Sequence, residues 1–216
     1  MDNSLKNHCN NYWIDNKNNL SWETNFPDTS LIHWLNSLDV LPKTSLDIGC
    51  GSGINSIYMS KIGIKVVGVD IAREAISIAQ QKSKDSNVLI DFYEYNIFEN
   101  NWNYNQFDFI FDRGCFHNYN SIEDQKNFVY SISKLLKKDG QWLSIIGSTE
   151  AVHIEKNPPK RSLCEIVTAI EPHLEILKIN STYYKTNLHN IPNHSIKTDN
   201  GNYKAWAVLS KNRGNV

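Results

Sequence analysis

The sequence predicts an α/β fold built on a mostly parallel sheet of seven strands, with helices on both faces and a C-terminal antiparallel hairpin. Three observations predict it. Short apolar runs alternate with helical stretches along most of the chain, the order that gives parallel strands joined by crossover helices. A glycine-rich turn follows the first of these runs. The last two runs have no helix between them, so they should pair antiparallel.

Size and charge narrow the class of protein. The 216 residues suffice for one domain with a substantial core. We expect a single domain over 1–216, with a lead-in and lid segment over 1–40 and the α/β core over 41–216. The 22 basic and 23 acidic residues give a net charge of −1, so no global field predicts binding to nucleic acid or to an anionic membrane.

The start of the chain lacks the basic and then apolar pattern of a signal peptide, and no window approaches the ~18 apolar residues of a membrane span. The four cysteines lack Cys-x-x-Cys spacing, which disfavours zinc and, in a reducing compartment, disulfides. We therefore expect a cytoplasmic protein. Nothing in the sequence sets its oligomeric state, and a monomer is compatible with it.

The lead-in is polar and irregular except for its aromatic residues, of which Trp22 and Phe26 need either the core edge or a ligand to cover them. A helix should follow, with Asp28 or Thr29 as its N-cap. Its apolar stripe consists of Leu31, Ile32, Trp34, Leu35 and Leu38.

The next stretch predicts a strand–helix–strand unit. A buried strand ends at Asp47, a tight loop carries Gly49, Gly51 and Gly53, and a second strand ends at Asp70. Glycines let the backbone turn sharply and approach a ligand without a Cβ in the way, and an acid about 20 residues further on can bind a ribose diol. The unit is therefore predicted to bind a cofactor that contains a nucleoside.

The spacing favours one kind of cofactor. A dinucleotide fingerprint needs a glycine where Ile54 stands, and a pyrophosphate needs a helix N-terminus clear of negative charge. Here Asp47 precedes the first glycine by two positions. A carboxylate there suits a cation better, and S-adenosylmethionine carries an ammonium and a sulfonium.

The run Asp47–Gly53 resembles the first motif of the class I S-adenosylmethionine-dependent methyltransferases. The resemblance implies a Rossmann-like fold, S-adenosylmethionine as cofactor and S-adenosylhomocysteine as product. It also implies that Asp47, the three glycines, Asp70 and Ile71 bind the cofactor. The segment 21–32 is similar to the tryptophan-containing segment of the thiopurine and thiol/halide methyltransferases, which implies that Trp22 lies near the methyl donor. The loop and residues 55–58 are also similar to tellurite-resistance methyltransferases.

A helix over Ala72–Lys84 and a third strand over Val88–Asn96 follow. The methyltransferase resemblance implies that the polar residue at this strand tip accepts a hydrogen bond from adenine and that the next residue packs on the ring. Those positions hold Asn96 and Ile97, where the family usually has an acid first. An asparagine that only shapes the turn is the alternative.

The fourth strand, Phe107–Gly114, is apolar enough to be central in a parallel sheet. The run from Phe107 through Asn118 resembles the segment of the thiopurine methyltransferase family that carries Asp-Arg-Gly. This implies that Asp112 and Arg113 form the floor of the active site, with Asp112 beside the sulfonium. Cys115 is expected to be core packing rather than a nucleophile. His117 is either a base toward the acceptor or a partner of a backbone carbonyl.

The remaining elements are predicted from periodicity and turn residues. The loop 149–161 contains His153, Pro158-Pro159 and the basic pair Lys160-Arg161, and lies where substrates are usually selected in this fold. His189 and His194 lack a third ligand, so no metal is expected. The elements are a helix over 122–136, a strand over 141–148, a helix over 162–170, and strands over 174–184 and 203–210.

The expected function is methyl transfer to a thiol or other soft nucleophile of a small molecule, since such atoms need little beyond alignment and exclusion of water. No basic strip and no Asn-Pro-Pro-Tyr motif predicts nucleic acid as substrate. The alternatives are N- or O-methylation of a small molecule, a cofactor-binding regulator without turnover, and an NAD-dependent oxidoreductase.

Overall fold

The structure is a computed structural model that describes residues 3–16, 20, 22–99, 102–103, 106–150, 159–185 and 203–214. Helices and strands alternate through most of this part of the chain. The helices are α1 (Asn3–Asn16), α2 (Thr29–Asn36), α3 (Ile54–Lys61), α4 (Arg73–Asp85), α5 (Ile122–Leu135) and α6 (Leu163–Ile170). The strands are β1 (Thr44–Ile48), β2 (Lys65–Asp70), β3 (Asp91–Glu94), β4 (Phe107–Arg113), β5 (Leu136–Gly147), β6 (Glu175–Tyr184) and β7 (Tyr203–Lys211).

The seven strands form one sheet in the order β3-β2-β1-β4-β5-β7-β6. The pairs from β3 to β5 are parallel, and β7 pairs antiparallel with both β5 and β6. This is the Rossmann-like fold with a closing hairpin that the sequence predicted. β1 lies between β2 and β4, and the strand order reverses at this point. Ligands of such sheets bind at the carboxyl ends of the strands beside this switch point.

Apolar side chains cover both faces of the sheet. In β4, Ile110 packs into one cluster, whereas Phe109 and Phe111 pack into the other. The stripe of α5 at Phe128, Val129, Ile132 and Leu135 lies in the first cluster, and α2 and α3 place Leu31, Leu35 and Met59 in the second. A helix that buries such a stripe gains about 1.5–3 kcal/mol per large apolar side chain. These spacings therefore fix which face of each helix meets the sheet.

The largest departure from the sequence prediction is α1, which lies where an irregular lead-in was expected. It packs against the N-terminal end of α4. Trp13 is buried in a cluster with Ala72 and Ala75, and Asn10 Oδ1 accepts a hydrogen bond from the backbone N–H of Glu74 at 3.0 Å. Because isolated helices of this length are marginal in water, α1 depends on these tertiary contacts.

Two strands also differ from their predicted bounds by more than one residue. The third strand covers only Asp91–Glu94 of the predicted 88–96, and β5 begins at Leu136 rather than at 141. The predicted turn at 137–140 lies within β5, where Asp139 has a φ of +63° and the register against β4 shifts between Phe107 and Phe109. The residues predicted to form a turn are therefore an irregular part of β5.

No helix within the described ranges has the length and apolar character required to cross a membrane. The same residues contain no group of three or more histidine, cysteine or acidic side chains arranged to hold a metal ion. His153, His189 and His194 lie outside the described residues.

Candidate active site

The glycine loop joins β1 to α3 at the carboxyl end of the sheet. Gly49, Gly51 and Gly53 have φ angles of +64°, +54° and +80°, a region that side chains other than glycine rarely adopt. A Cβ on Gly53 would also lie 3.0 Å from Ala79 Cβ and Phe92 Cζ. Backbone conformation and close packing therefore both require glycine here.

Asp70, at the end of β2, is bound to this loop. Its Oδ2 accepts from the N–H of Gly51 at 3.0 Å, and its Oδ1 accepts from the N–H of Ala72 at 2.9 Å. Ile71 stands between Asp70 and the start of α4. An ionised carboxylate has about four acceptor sites, so Asp70 can accept further hydrogen bonds from a diol.

Asp47 is buried at the end of β1, 1% exposed. Ser56 of α3 donates its hydroxyl to Asp47 Oδ2 at 2.5 Å. Burial, together with the negative charges of Asp112 and Asp70, raises the pKa of Asp47 to about 7. Burial also raises the pKa of Asp70, with a contribution from Glu23. Acidic groups are therefore crowded together at the ends of β1 and β2.

These residues fit S-adenosylmethionine. The cofactor contains a ribose diol, for which Asp70 offers free acceptor sites. It also carries a sulfonium and an ammonium, which would relieve the repulsion among the crowded carboxylates. A dinucleotide pyrophosphate would instead add negative charge beside Asp47.

The N-terminal segment covers the loop. A Cβ on Gly51 would lie 3.3 Å from Trp13 and from Glu23 Oε1. Ser52 donates to Glu23, and Lys82 lies 2.8 Å from Ser52 Oγ. Trp22, expected near the methyl donor, is 39% exposed and stacks on Tyr12 with ring centroids 5.2 Å apart. Trp13 and Glu23 therefore lie over the cofactor loop.

The third strand tip differs from its expected role. Asn96 Oδ1 accepts from the N–H of Phe98 at 3.1 Å, so the amide oxygen closes a turn, which is the alternative named above. Ile97 is buried in the main core rather than left open at the site. Only the amide nitrogen of Asn96 is left without a described hydrogen bond.

Asp112, the last buried residue of β4, organises the turn that follows it. It is fully buried. Its Oδ1 accepts from the N–H groups of Cys115 and Phe116 at 3.1 and 3.0 Å, and its Oδ2 accepts from Trp142 Nε1 at 3.0 Å. Burial raises the pKa of Asp112 to about 6, although these hydrogen bonds oppose the rise.

Arg113 was expected on the floor of the site, near the substrate. In the structure it joins three distant segments. Its Nε donates to Asp28 Oδ2 at 3.1 Å, and its terminal nitrogens donate to the carbonyl oxygens of Trp22 at 3.1 Å and Lys185 at 3.0 Å. The guanidinium also lies 4.9 Å from the ring centroid of Tyr184. Arg113 thus fastens the lead-in and the end of β6 to the end of β4.

His117 lies in the 3₁₀ turn after β4 and is 5% exposed. Its Nδ1 accepts from the N–H of Gly147 at 3.0 Å, so the proton of the neutral ring is on Nε2. Burial and the positive charges of Arg161 and Arg113 lower the pKa of His117 to about 3. The imidazole therefore presents an N–H donor toward Gly114, and neither expected role, base or partner of a carbonyl, describes it.

The sequence reasoning did not single out Arg161. It lies beside His117, and its Nη2 donates to the carbonyl oxygen of Tyr119 at 2.7 Å and to Asn120 Oδ1 at 3.1 Å. The only sequence signal was a basic pair after two prolines. Asp28, one of the two residues predicted as the N-cap of α2, is that cap, but the sequence did not predict it as the partner of Arg113.

Comparison with known proteins agrees with this geometry. Residues 46–144 match the model of a methyltransferase domain family. Over 102 residues, 47% of the chain, the sequence is 32% identical to an uncharacterized methyltransferase of Schizosaccharomyces pombe, and the match spans 70% of that protein. Over 74 residues, 34% of the chain, it is 42% identical to a Methanocaldococcus jannaschii protein proposed to be a protein N5-glutamine methyltransferase, of which the match spans 38%.

A solved structure shares the fold over nearly the whole chain. It comes from a study of the conversion of a disulfide bond into a thioacetal group during echinomycin biosynthesis. It overlaps 98% of this chain and 93% of its own with a TM-score of 0.82, at 16% sequence identity. The fold and the glycine loop with its two strand-end acids define a Rossmann-like nucleoside-cofactor enzyme.

The chain belongs to the class I S-adenosylmethionine-dependent methyltransferases. It is an enzyme of this class, and S-adenosylmethionine is its methyl donor.

Proposed function

We propose that this methyltransferase acts on sulfur, or on a similarly soft atom, of a small molecule. One observation carries the proposal: in the part of the chain that the structure describes, neither Asp112 nor His117, the titratable groups expected to act at the end of β4, is free to take a proton from the acceptor.

Asp112 has no exposed surface and already accepts three N–H hydrogen bonds. His117 has its basic nitrogen occupied by the Gly147 N–H. Amines and hydroxyls that are protonated at neutral pH need a base before they attack carbon. A thiol ionises in water more readily, so its thiolate needs only alignment.

When bound, the cofactor supplies a methyl group on positively charged sulfur, and an in-line attack on the methyl carbon displaces that sulfur as S-adenosylhomocysteine. A thiol acceptor would first lose its proton to water, and its sulfur would then form the new bond to carbon. The positive charges that lower the pKa of His117, from Arg161 and Arg113, would also favour a thiolate nearby.

The roles of the residues follow from their positions. We assign Asp47, Gly49, Gly51, Gly53, Asp70 and Ile71 to cofactor binding, with Trp22 as part of the cover and Asn96 and Ile97 as the support of the adenine end. Asp112 and Arg113 are positioning residues, since one fixes the turn at 115–116 and the other fastens the lead-in. His117 would donate its Nε2–H to the acceptor.

A panel of acceptors tests the proposal. The protein is incubated with S-adenosylmethionine and, separately, thiols, selenite, tellurite, halides, amines and phenols, and S-adenosylhomocysteine is measured. Turnover with thiols, selenite or tellurite and not with amines or phenols is expected. Turnover confined to amines or phenols would overturn the sulfur assignment. Thermal stabilisation by S-adenosylhomocysteine without any turnover would favour a regulator.

A further inference from the structure

Arg161 is a buried cation that forms no ion pair with any described residue. Its side chain is 8% exposed, and no carboxylate of the described residues lies within ion-pair distance of it. Arginine is almost never buried unless it is paired, because removing its charge from water costs free energy. Glu165 acts on this charge from a distance, but no described carboxylate contacts the guanidinium, so an anion could still bind there.

Its hydrogen bonds leave part of the guanidinium unused. Nη1 donates to the carbonyl oxygen of Lys160, and Nη2 donates to Tyr119 and Asn120. The Nε–H is buried and has no hydrogen-bond partner. The nearby acid, Glu165, is engaged with the N–H and hydroxyl of Ser162, both at 2.8 Å. Glu165 compensates the charge of Arg161 in part, since each shifts the pKa of the other, but it forms no ion pair with the guanidinium.

The backbone holds Arg161 at the carboxyl edge of the sheet. Its N–H donates to the carbonyl oxygen of Gly147 at 2.8 Å, and its carbonyl accepts from Thr149 at 3.3 Å. Gly147 is also the residue whose N–H binds His117. Arg161 and His117 are thus both bound to Gly147 at the end of β5, and the Nε2–H of His117 has no hydrogen-bond partner among the described residues.

Charge divides the two sides of the site. Asp47 and Asp70 stand at the ends of β1 and β2, where the cationic cofactor is expected, and Glu23 lies over them. Arg161 stands beyond β4, on the side left for the acceptor. Arg113 is also there, but its charge is balanced by Asp28 at 3.1 Å. Arg161, by contrast, forms no ion pair among the described residues.

We propose that Arg161 and the Nε2–H of His117 form an anion subsite that holds a carboxylate of the acceptor, so that the substrates are small anionic thiols. The inference rests on the proposed function. A carboxylate is the natural partner of a guanidinium with free donors, and the ring N–H of His117 can donate to the same group.

Three thiols of equal length test the subsite: 3-mercaptopropionate, 3-mercapto-1-propanol and 3-aminopropanethiol. Because the acidities of their thiols differ, KM is compared rather than kcat alone. For the wild-type enzyme, KM should be at least tenfold lower for the carboxylate than for the alcohol, and highest for the amine. Equal KM values for the carboxylate and the alcohol would overturn the subsite.

Variants assign the preference to Arg161. Arg161→Gln should abolish the difference in KM between 3-mercaptopropionate and the alcohol, whereas Arg161→Lys should keep part of that difference. Arg213→Gln, which removes an exposed arginine paired with Glu171, is the control. If Arg161 had only a structural role, its substitution would change KM by the same factor for all three thiols, and that result would refute the proposal.

A binding measurement separates this inference from the proposed function. Thermal stabilisation of the S-adenosylhomocysteine complex by 3-(methylthio)propionate is compared with that by 3-(methylthio)propanol. A larger shift for the carboxylate, lost in Arg161→Gln, supports the subsite even if no thiol is turned over and the sulfur assignment fails. Equal shifts refute the subsite even if thiols are methylated. If Arg161→Gln does not fold, the wild-type comparison alone decides.

Discussion

Nε of Arg113 lies 3.1 Å from Oδ2 of Asp28, although 85 residues separate them in the chain. Both side chains are largely buried, with 13% and 4% exposed. Asp28 also caps α2 by accepting from Ser30 at 2.8 Å and Leu31 at 3.4 Å. One carboxylate therefore begins α2 and holds the lead-in against the end of β4.

Replacing Arg113 by methionine should lower the free energy of unfolding by about 3 kcal/mol, because it leaves Asp28 buried without its ion-pair partner. Urea unfolding measures this loss. Amide exchange in residues 22–28 should rise in the same variant, since the Arg113 contact with the Trp22 carbonyl is removed. The control, Arg213→Met at an exposed ion pair, should change stability by less than about 1 kcal/mol. Equal effects of the two variants would contradict the assigned role.

Asp47→Asn should stabilise the cofactor-free protein at alkaline pH. The folded-state pKa of Asp47, about 7 against an ordinary 3.8, means that the folded protein favours the protonated form. Stability is therefore lost as the pH rises from about 4 to 7, and the loss is complete above that. At pH 8 the free energy of unfolding of the variant should exceed that of the wild type by about 2–4 kcal/mol. Near pH 4 the two free energies of unfolding should be equal.

Thermal unfolding at several pH values checks this, with the exposed Asp39→Asn as control. The same variant should bind S-adenosylmethionine more weakly at pH 8, because a negative charge near the cationic ligand has been removed. A variant that is destabilised at pH 8, or that binds the cofactor unchanged, would contradict the account of Asp47.

Gly53→Ala should cost more stability than Gly63→Ala. Both residues have positive φ, +80° and +94°, but a Cβ at Gly63 meets nothing within 4 Å, whereas one at Gly53 meets Ala79 and Phe92 at 3.0 Å. Gly63→Ala should therefore cost only the backbone strain, about 1–2 kcal/mol. Gly53→Ala should cost the same backbone strain and, in addition, the free energy of the steric clash. It should also reduce the thermal shift that S-adenosylhomocysteine produces. Identical losses would show that packing around the loop is irrelevant.

The parts of the fold that the sequence predicted are those fixed by local patterns. Apolar runs identified β1, β2 and β4, and the 3.6-residue period identified α5. Residues 3–16 have no apolar stripe to show a helix, since α1 is held by contacts of Asn10 and Trp13 with α4 and neighbouring residues. Such partners are distant in sequence and cannot be inferred from periodicity.

The same distinction applies to the site. The glycine loop and Asp70 belong to one short unit with a fixed spacing, so their proximity could be predicted. The bond between His117 and Gly147 spans 30 residues, and that between Arg161 and Tyr119 spans 42. Whether His117 is a base or a donor depends on which backbone group meets Nδ1, and only the three-dimensional packing decides that.

His117 should not contribute an ionisation to the pH dependence of kcat/KM between pH 5 and 9, because its pKa of about 3 keeps the ring neutral throughout that range.

Two substitutions at His117 distinguish the roles of its two ring nitrogens. Asparagine can accept the Gly147 N–H in place of Nδ1 but has no donor at the position of Nε2, whereas glutamine can reach the Nε2 position. If Nε2–H contacts the acceptor, His117→Asn should fold and bind S-adenosylhomocysteine like the wild type but raise KM for 3-mercaptopropionate about tenfold, the cost of one lost hydrogen bond to a charged group. His117→Gln should recover part of that loss despite lower thermal stability. An activity step near pH 6.5 that disappears in His117→Asn would instead identify His117 as a base and remove the main argument for a sulfur acceptor.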